Sequence, residues 1–196
     1  CTLALDSRGS RIGTLMHRRN LLGAIDRYAA RYPEESGVVE RFRRLLNEHS
    51  NCFERDCWHG HITGSAWLVS PDQQQILLTH HRKLNMWLQL GGHSDGEPDT
   101  PEVALREARE ESGLAVQLLD PQIFDLDVHE IPARKADPAH YHFDVRYQIQ
   151  AASEAFQVSA ESLALAWVKI DELERYTTEE SILRMRKKWL ENTIKH

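Results

Sequence analysis

The stretch Gly91 to Leu114, GGHSDGEPDTPEVALREAREESGL, constrains the chain more than any other part of it. It opens on two glycines, passes through a polar loop and turns helical near Thr100. Pro101 falls in the first helical turn, where its missing N–H costs nothing. Asp99 or Thr100 is available as the N-cap, and Gly113 is the expected stop. On a helix over Thr100–Ser112, Glu107, Glu110 and Glu111 stand at i, i+3 and i+4 and share one face. Ala104, Leu105 and Ala108 form the adjoining apolar face, suited to packing on a sheet. Like charges at this spacing cost roughly a few tenths of a kcal/mol per pair. A hard divalent cation relieves that repulsion, and an all-carboxylate set suits Mg²⁺ or Mn²⁺ better than zinc. For the glutamates alone, a solvated acidic face paired with Arg106 and Arg109 is the better reading. The surroundings change that balance.

Ahead of this stretch, Leu21, Leu22, Ile25, Tyr28 and Ala29 fall at helical spacing, which predicts a helix from about Met16 to Tyr32, ended by Pro33. Residues 1–14 read as a loose arm. Val38, Val39, Phe42, Leu45 and Leu46 give a second amphipathic helix over Glu34–His49. The texture changes near Gly60. His61–Ser70 and Gln75–Thr79 read as a strand hairpin about a turn at Pro71–Gln74. Trp87–Leu90 is a short strand feeding Gly91-Gly92. Ala115–Leu119, Gln122–His129, Tyr141–Ala151 and Leu163–Ile170 read as strands, and Asp171–Arg175 as a short helix. Thr177–Lys195 is a last helix, opened by a capping box of Thr177 with Glu180. The division is a helical extension over 1–58, a catalytic domain over 59–176, and a C-terminal helix over 177–196 packed on it. Strands in the middle flanked by helices give an α+β class.

The chain has 196 residues, 41% hydrophobic and 28% charged, as in a globular protein. No apolar run approaches the roughly 20 residues that span a bilayer, so no membrane helix is expected. No secretory signal is visible. The net charge of −6 argues against a duplex nucleic-acid binder. Three cysteines, Cys1, Cys52 and Cys57, suggest no disulfide framework, and a cytoplasmic location is expected.

Gly92, Arg106-Glu107-Ala108, Glu110-Glu111 and Gly113-Leu114, read in order, resemble the Nudix box, G-x5-E-x7-R-E-U-x-E-E-x-G-U with U apolar. The spacing is kept from Gly92 to Leu114. One position departs: Pro98 stands where the pattern has its first glutamate, with Glu97 just before it. The hairpin, the Trp-Leu-x-Leu-Gly-Gly segment and the late Trp167-Val168 strand follow the Nudix order of elements over about residues 60–176. The resemblance implies an α/β/α sandwich with a mixed sheet, here with an N-terminal helical hairpin added. It implies divalent-metal-dependent hydrolysis of a phosphoanhydride bond in a nucleoside diphosphate derivative or related compound. Glu107, Glu110 and Glu111 would be metal ligands for Mg²⁺ or Mn²⁺, and Arg106 would orient a glutamate by a charge-assisted hydrogen bond. Glu107 and Glu110 are equal candidates for the base; Glu130 and Glu161 are more distant ones. The partner is a small nucleotide or other diphosphate, and a homodimer is left open. Two alternatives remain: a diphosphate isomerase, which would need a reactive cysteine and glutamate in the pocket, and a binding or regulatory module without turnover.

Other residues carry weaker signals. His93 and Asp95, in the loop after Gly92, are placed at the substrate, against a reading in which they only hold the loop. Arg82, in His80-His81-Arg82-Lys83, could grip a far phosphate, although a solvated hairpin end is the plainer account. Among Trp58, Trp67, Trp87 and Trp167, Trp87 is the candidate for stacking on a base; strand tryptophans are more often core. His140, His142 and Asp144 alternate and share a strand face, either lining a pocket with His129-Glu130 or facing solvent. Cys52, Cys57, His59 and His61 invite a zinc reading, but the spacing is not a finger spacing, and ordinary core or surface roles are preferred.

Overall fold

The computed structural model describes residues 7–82, 84–134, 137–158 and 162–193. Helix α1 (Ser7–Arg31) begins nine residues earlier than its apolar periodicity, which carries no signal before Met16. A 3-10 turn at Pro33–Glu35 leads into α2 (Ser36–Glu48). Leu21, Ile25 and Tyr28 of α1 and Val39, Phe42, Leu45 and Leu46 of α2 are buried, as their spacing requires.

The sheet has eight strands among the described residues. They are β1 (His61–Val69), β2 (Gln75–His81), β3 (Met86–Leu88), β4 (Leu90–His93), β5 (Val116–Leu118), β6 (Asp125–Ile131), β7 (His140–Ala151) and β8 (Ser162–Lys169). The strand expected at Trp87–Leu90 is divided at Gln89: β3 pairs with β2, and β4 crosses to pair with β1. Gly91 and Gly92 therefore lie within a strand. β1 and β7 run parallel in the middle, His61 beside His142 through to Val69 beside Gln150, while every other pairing is antiparallel. The sheet is mixed, with helices on both sides.

Alternation along β1 and β7 sorts the two faces. Ile62, Ala66, Leu68, Phe143, Val145, Tyr147 and Ile149 join one core with α1, α2 and helix α3 (Thr100–Ser112). Trp67 and Val69 join another with Ile182, Met185 and Trp189 of helix α4 (Glu180–Thr193). The N-terminal hairpin thus shares a hydrophobic core with the strands. A 3-10 turn over Ile170–Arg175 precedes α4. Thr177 does not form the expected box with Glu180. Its hydroxyl accepts from the Glu179 N–H at 3.2 Å, and Lys195 lies outside the described residues. No helix among the described residues is long and apolar enough to cross a membrane.

Candidate active site and a group of histidines

Helix α3 starts and stops where the sequence places it, but its N-terminal cap differs. Neither Asp99 nor Thr100 caps through its side chain. The Thr100 hydroxyl is drawn instead to the buried Tyr147 hydroxyl, 2.7 Å away, and the Asp99 N–H donates to Glu97 Oε1. At the other end Gly113 adopts φ 69°, the left-handed conformation that glycine takes without cost.

The helix is fastened to β4 through its acidic side chains. Glu111 Oε1 accepts the Gly91 N–H at 2.8 Å. The Glu107 carboxylate lies over Gly92 so closely that a Cβ there would collide with it. Arg106 Nη2 donates to Glu107 Oε1 at 2.8 Å and to the His93 carbonyl at 2.7 Å, joining helix, carboxylate and strand in one unit. That hydrogen bond first, then the charges of Glu107 and Glu110, holds the Arg106 guanidinium above its ordinary pKa. Glu110 is exposed. Arg109 pairs with Glu102 rather than with a box glutamate. Arg106, Glu107 and Glu111 thus form a built contact with the strand, unlike a merely solvated face, while Glu110 is left on the outside.

The remaining candidates fall in separate surroundings. Asp95, at φ 51°, is exposed and ion-paired to Arg55. Arg82 sits in the exposed turn after β2, and Glu130 is exposed on β6. Trp87 stacks on His80 (ring centroids 5.0 Å apart, planes 17° apart) and meets Tyr176 edge-on. Trp67 is core, and Trp58 is exposed against His140. Glu161 lies outside the described residues. Glu97 and Pro98 line a cleft of about 510 Å³ between α1 and the start of α3.

His93 leads elsewhere. Gly92 faces α3, so the next side chain turns to the opposite side of the strand. There its ring meets His61 (centroids 5.1 Å) and His142 (4.9 Å). His61 also meets His140 and His142, at 4.9 and 5.0 Å. The parallel pairing of β1 with β7 makes this group, and spacing along the chain could not show it. The face of β7 that carries His140, His142 and Asp144 is therefore largely buried, not solvent-facing: His140 is 9% and Asp144 2% exposed. Burial first, then His140, holds His61 below the ordinary histidine pKa. Burial, then Arg55 and His61, pushes His93 down to about 4. Burial, then His93 and His61, pushes His142 down to about 2. These rings are uncharged at neutral pH.

Cys52, Cys57, His59 and His61 do not come together as one ligand group, in keeping with ordinary core and surface roles for the first three. His61 belongs with His140 and His142, and His59 stacks on His49 at 4.3 Å. Both cysteines are buried and unpaired, and burial pushes the Cys52 thiol up to about 12 and the Cys57 thiol upward. Thiols so protonated are poor ligands and poor nucleophiles.

The NUDIX domain model matches residues 60–189. The chain belongs to the Nudix family. Its Nudix domain runs from the start of β1 into α4, and the enzyme is a Nudix-type pyrophosphohydrolase, a hydrolase of acid anhydrides. The fold is shared with an E. coli dihydroneopterin triphosphate pyrophosphohydrolase (17% identity, TM-score 0.53, 67% of this chain and 95% of the other). It is also shared with the MutT protein of Methanosarcina mazei Go1 (17% identity, TM-score 0.51, 68% and 95%). A Nudix-family hydrolase of Clostridium perfringens is 26% identical over 65% of this chain and 95% of its own, with a TM-score of 0.49. No curated protein matches the chain.

Proposed function

We propose that this Nudix enzyme cleaves the phosphoanhydride bond of a nucleoside diphosphate derivative or a related small diphosphate, with a hard divalent cation held by Glu107, Glu110 and Glu111. The observation that carries the reading is the fastening of α3 to β4: Arg106 holds Glu107 against Gly92, and Glu111 holds the Gly91 N–H. Glu107 and Glu111, held against adjacent glycines of the strand, offer carboxylate oxygens, with exposed Glu110 on the same helix, and such oxygen donors suit Mg²⁺ or Mn²⁺. These ions bind through one or two carboxylates together with water and substrate phosphate, so the residues need not close into a cage. When bound, such an ion supplies an acidified water and neutralises phosphate charge.

The chain's own residues do the rest. Arg106 fixes the Glu107 carboxylate by a charge-assisted hydrogen bond. Glu110, exposed on the helix, is the candidate to accept the proton of the attacking water, and Glu107 is the alternative base. Asp95, in the loop after the strand that carries the glycines, belongs to the phosphate end; the His93 side chain lies on the other face of that strand, against His61 and His142, and stands apart from it. Trp87 and Arg82, on the β2–β3 hairpin, belong to the base or far-phosphate end. The names of two structural neighbours, an Ap4A hydrolase and a dihydroneopterin triphosphate pyrophosphohydrolase, support a nucleotide-like substrate. A nucleophilic isomerase is disfavoured by the buried, protonated thiols. The same unpaired thiols support a reducing, cytoplasmic setting.

The test is turnover of a panel of nucleoside triphosphates, dinucleoside polyphosphates and nucleoside diphosphate derivatives, with Mg²⁺, with Mn²⁺ and with chelator. Metal-dependent cleavage of one class is expected. Glu110→Gln should lower turnover about 10²–10⁴-fold, the range for a proton-transfer group, with the fold intact by circular dichroism. Near-normal turnover in that variant would remove Glu110 from the site.

A further inference from the structure

We infer that His61, His140 and His142 form a second metal site, for a zinc-class divalent cation, on the face of the sheet opposite the glutamate helix. One ring nitrogen from each lies within 4.8 Å of the others. Tetrahedral zinc with N–Zn of about 2.0–2.1 Å has N···N edges of about 3.3 Å. Side-chain rotation of about 1.5 Å or less therefore closes the set.

Three observations point to a ligand. His61 is 2% exposed, yet neither ring nitrogen has a hydrogen-bond partner. An unsatisfied buried nitrogen costs about 1–3 kcal/mol, so a histidine placed twice over without partners asks for another one. His142 Nε2 is likewise buried and unpartnered. His140 is oriented for ligation: its Nδ1 lies 2.9 Å from the Pro138 carbonyl, which takes the Nδ1 proton and leaves the Nε2 lone pair free. A backbone carbonyl fixing the tautomer is the usual outer support of a metal-bound histidine. Imidazole sets of this kind prefer zinc, copper, nickel or cobalt to magnesium. Three histidines leave a fourth position for water or another ligand, and the His93 ring packs on His61 and His142.

His129 is also near, 5.4 Å from His142 between ring centroids, but its Nδ1 is engaged by Asp127 at 3.1 Å. The proposed site and the glutamate site lie on opposite faces of β4, where Gly92 faces Glu107 and His93 faces the histidines.

The experiment uses the full chain stripped with chelator. Zn²⁺ alone is titrated against a chromogenic competitor, and Co²⁺ alone is followed by its visible absorption. One equivalent is expected to bind with a nitrogen-type four- or five-coordinate Co²⁺ spectrum. His142→Gln and His140→Gln should each weaken Zn²⁺ by more than the roughly 10–100-fold that loss of an outer-shell partner costs. Glu110→Gln should leave Zn²⁺ affinity and the Co²⁺ spectrum unchanged. Undiminished binding in both histidine variants, or loss in Glu110→Gln alone, overturns the proposal. Should a histidine variant not fold, electron spin echo modulation of Cu²⁺-loaded wild type decides: several imidazole nitrogens support the site, and none overturns it.

Discussion

Two polar groups lie on the same face of the sheet, and they are built on opposite principles. Around Asp125 every charge has a partner. Arg146, 1% exposed, donates to Asp144 Oδ2 at 2.7 Å and to Asp125 Oδ2 at 3.1 Å and pairs with Asp127. Arg184 grips Asp125 through two hydrogen bonds at 2.9 and 2.8 Å, and Lys188 joins Asp125, Glu35 and Tyr28. Asp144 receives Thr63, Ser65 and Gln89 as well. Two and four residues before Asp144 on β7, His142 and His140 have ring upon ring and few hydrogen bonds. A buried polar group that is fully paired explains itself by stability; one left unpaired needs a different account. The first group ties α1, α4, β6 and β7 together. The second leaves both His61 nitrogens and His142 Nε2 buried without partners, which a bound ligand would satisfy.

Removing the central cation of the paired group is expected to have the largest effect on stability. Arg146→Met leaves Asp144, Asp125 and Asp127 short of their shared partner in a dry site. The loss should be about 3–5 kcal/mol, as when one partner of a buried ion pair is deleted. For a chain of this size that lowers Tm by roughly 10 °C. Denaturant unfolding of both proteins measures it. A loss under about 1 kcal/mol would mean that water or local movement compensates the three carboxylates, and the contrast between the groups would fail.

Acid should separate the two groups by where along the pH axis each gives way. His61, His93 and His142 have folded pKa values below the ordinary one, with His93 at about 4 and His142 at about 2. The unfolded chain therefore binds their protons first. Stability is intact above about pH 6.5 and falls as pH drops below it, by at most about 1.4 kcal/mol per pH unit for each ring. Asp125 and Asp127 behave differently. Burial would raise both, but the Arg184 hydrogen bond to Asp125 and the His129 hydrogen bond to Asp127, reinforced by Arg146, hold both below the ordinary value. Their contribution is present above about pH 4 and is lost only below that. Unfolding free energies of chelated protein at pH 7, 5.5 and 4.5 should thus decline with a slope that His142→Gln reduces and Asp127→Asn does not. A slope equal in both variants would erase the distinction.

The carboxylate helix was legible because everything that makes it is local: the loop glycines, Pro101, the apolar face of Ala104 and Ala108, and the left-handed Gly113. The Arg106–Glu107 hydrogen bond follows from the same short range. Strands were legible where alternation was clean, as in His140–Ala151. What could not be read required partners far along the chain. Thr100 gives its hydroxyl to Tyr147, 47 residues away, rather than to its own helix. β4 leaves β3 at Gln89 because its partner is β1. His61 pairs with His142 across a parallel register that no local pattern encodes, so histidines that looked like separate features form one group. Single residues of that group were visible; their meeting was not.

The smallest effect is expected where the comparison is sharpest. His61→Phe replaces a buried ring with two unpartnered nitrogens by an apolar ring of similar shape. Replacing unsatisfied polar groups by apolar ones of like form is nearly neutral or stabilising. In chelated protein the unfolding free energy should change by no more than about 1 kcal/mol, of either sign, since the slightly larger ring can cost some packing. With Zn²⁺ present the sign becomes fixed: wild type gains stability by mass action, and the variant gains little. A loss comparable to that of Arg146→Met in metal-free protein would show that the His61 nitrogens already have partners of consequence, and that both groups are held by the same rule.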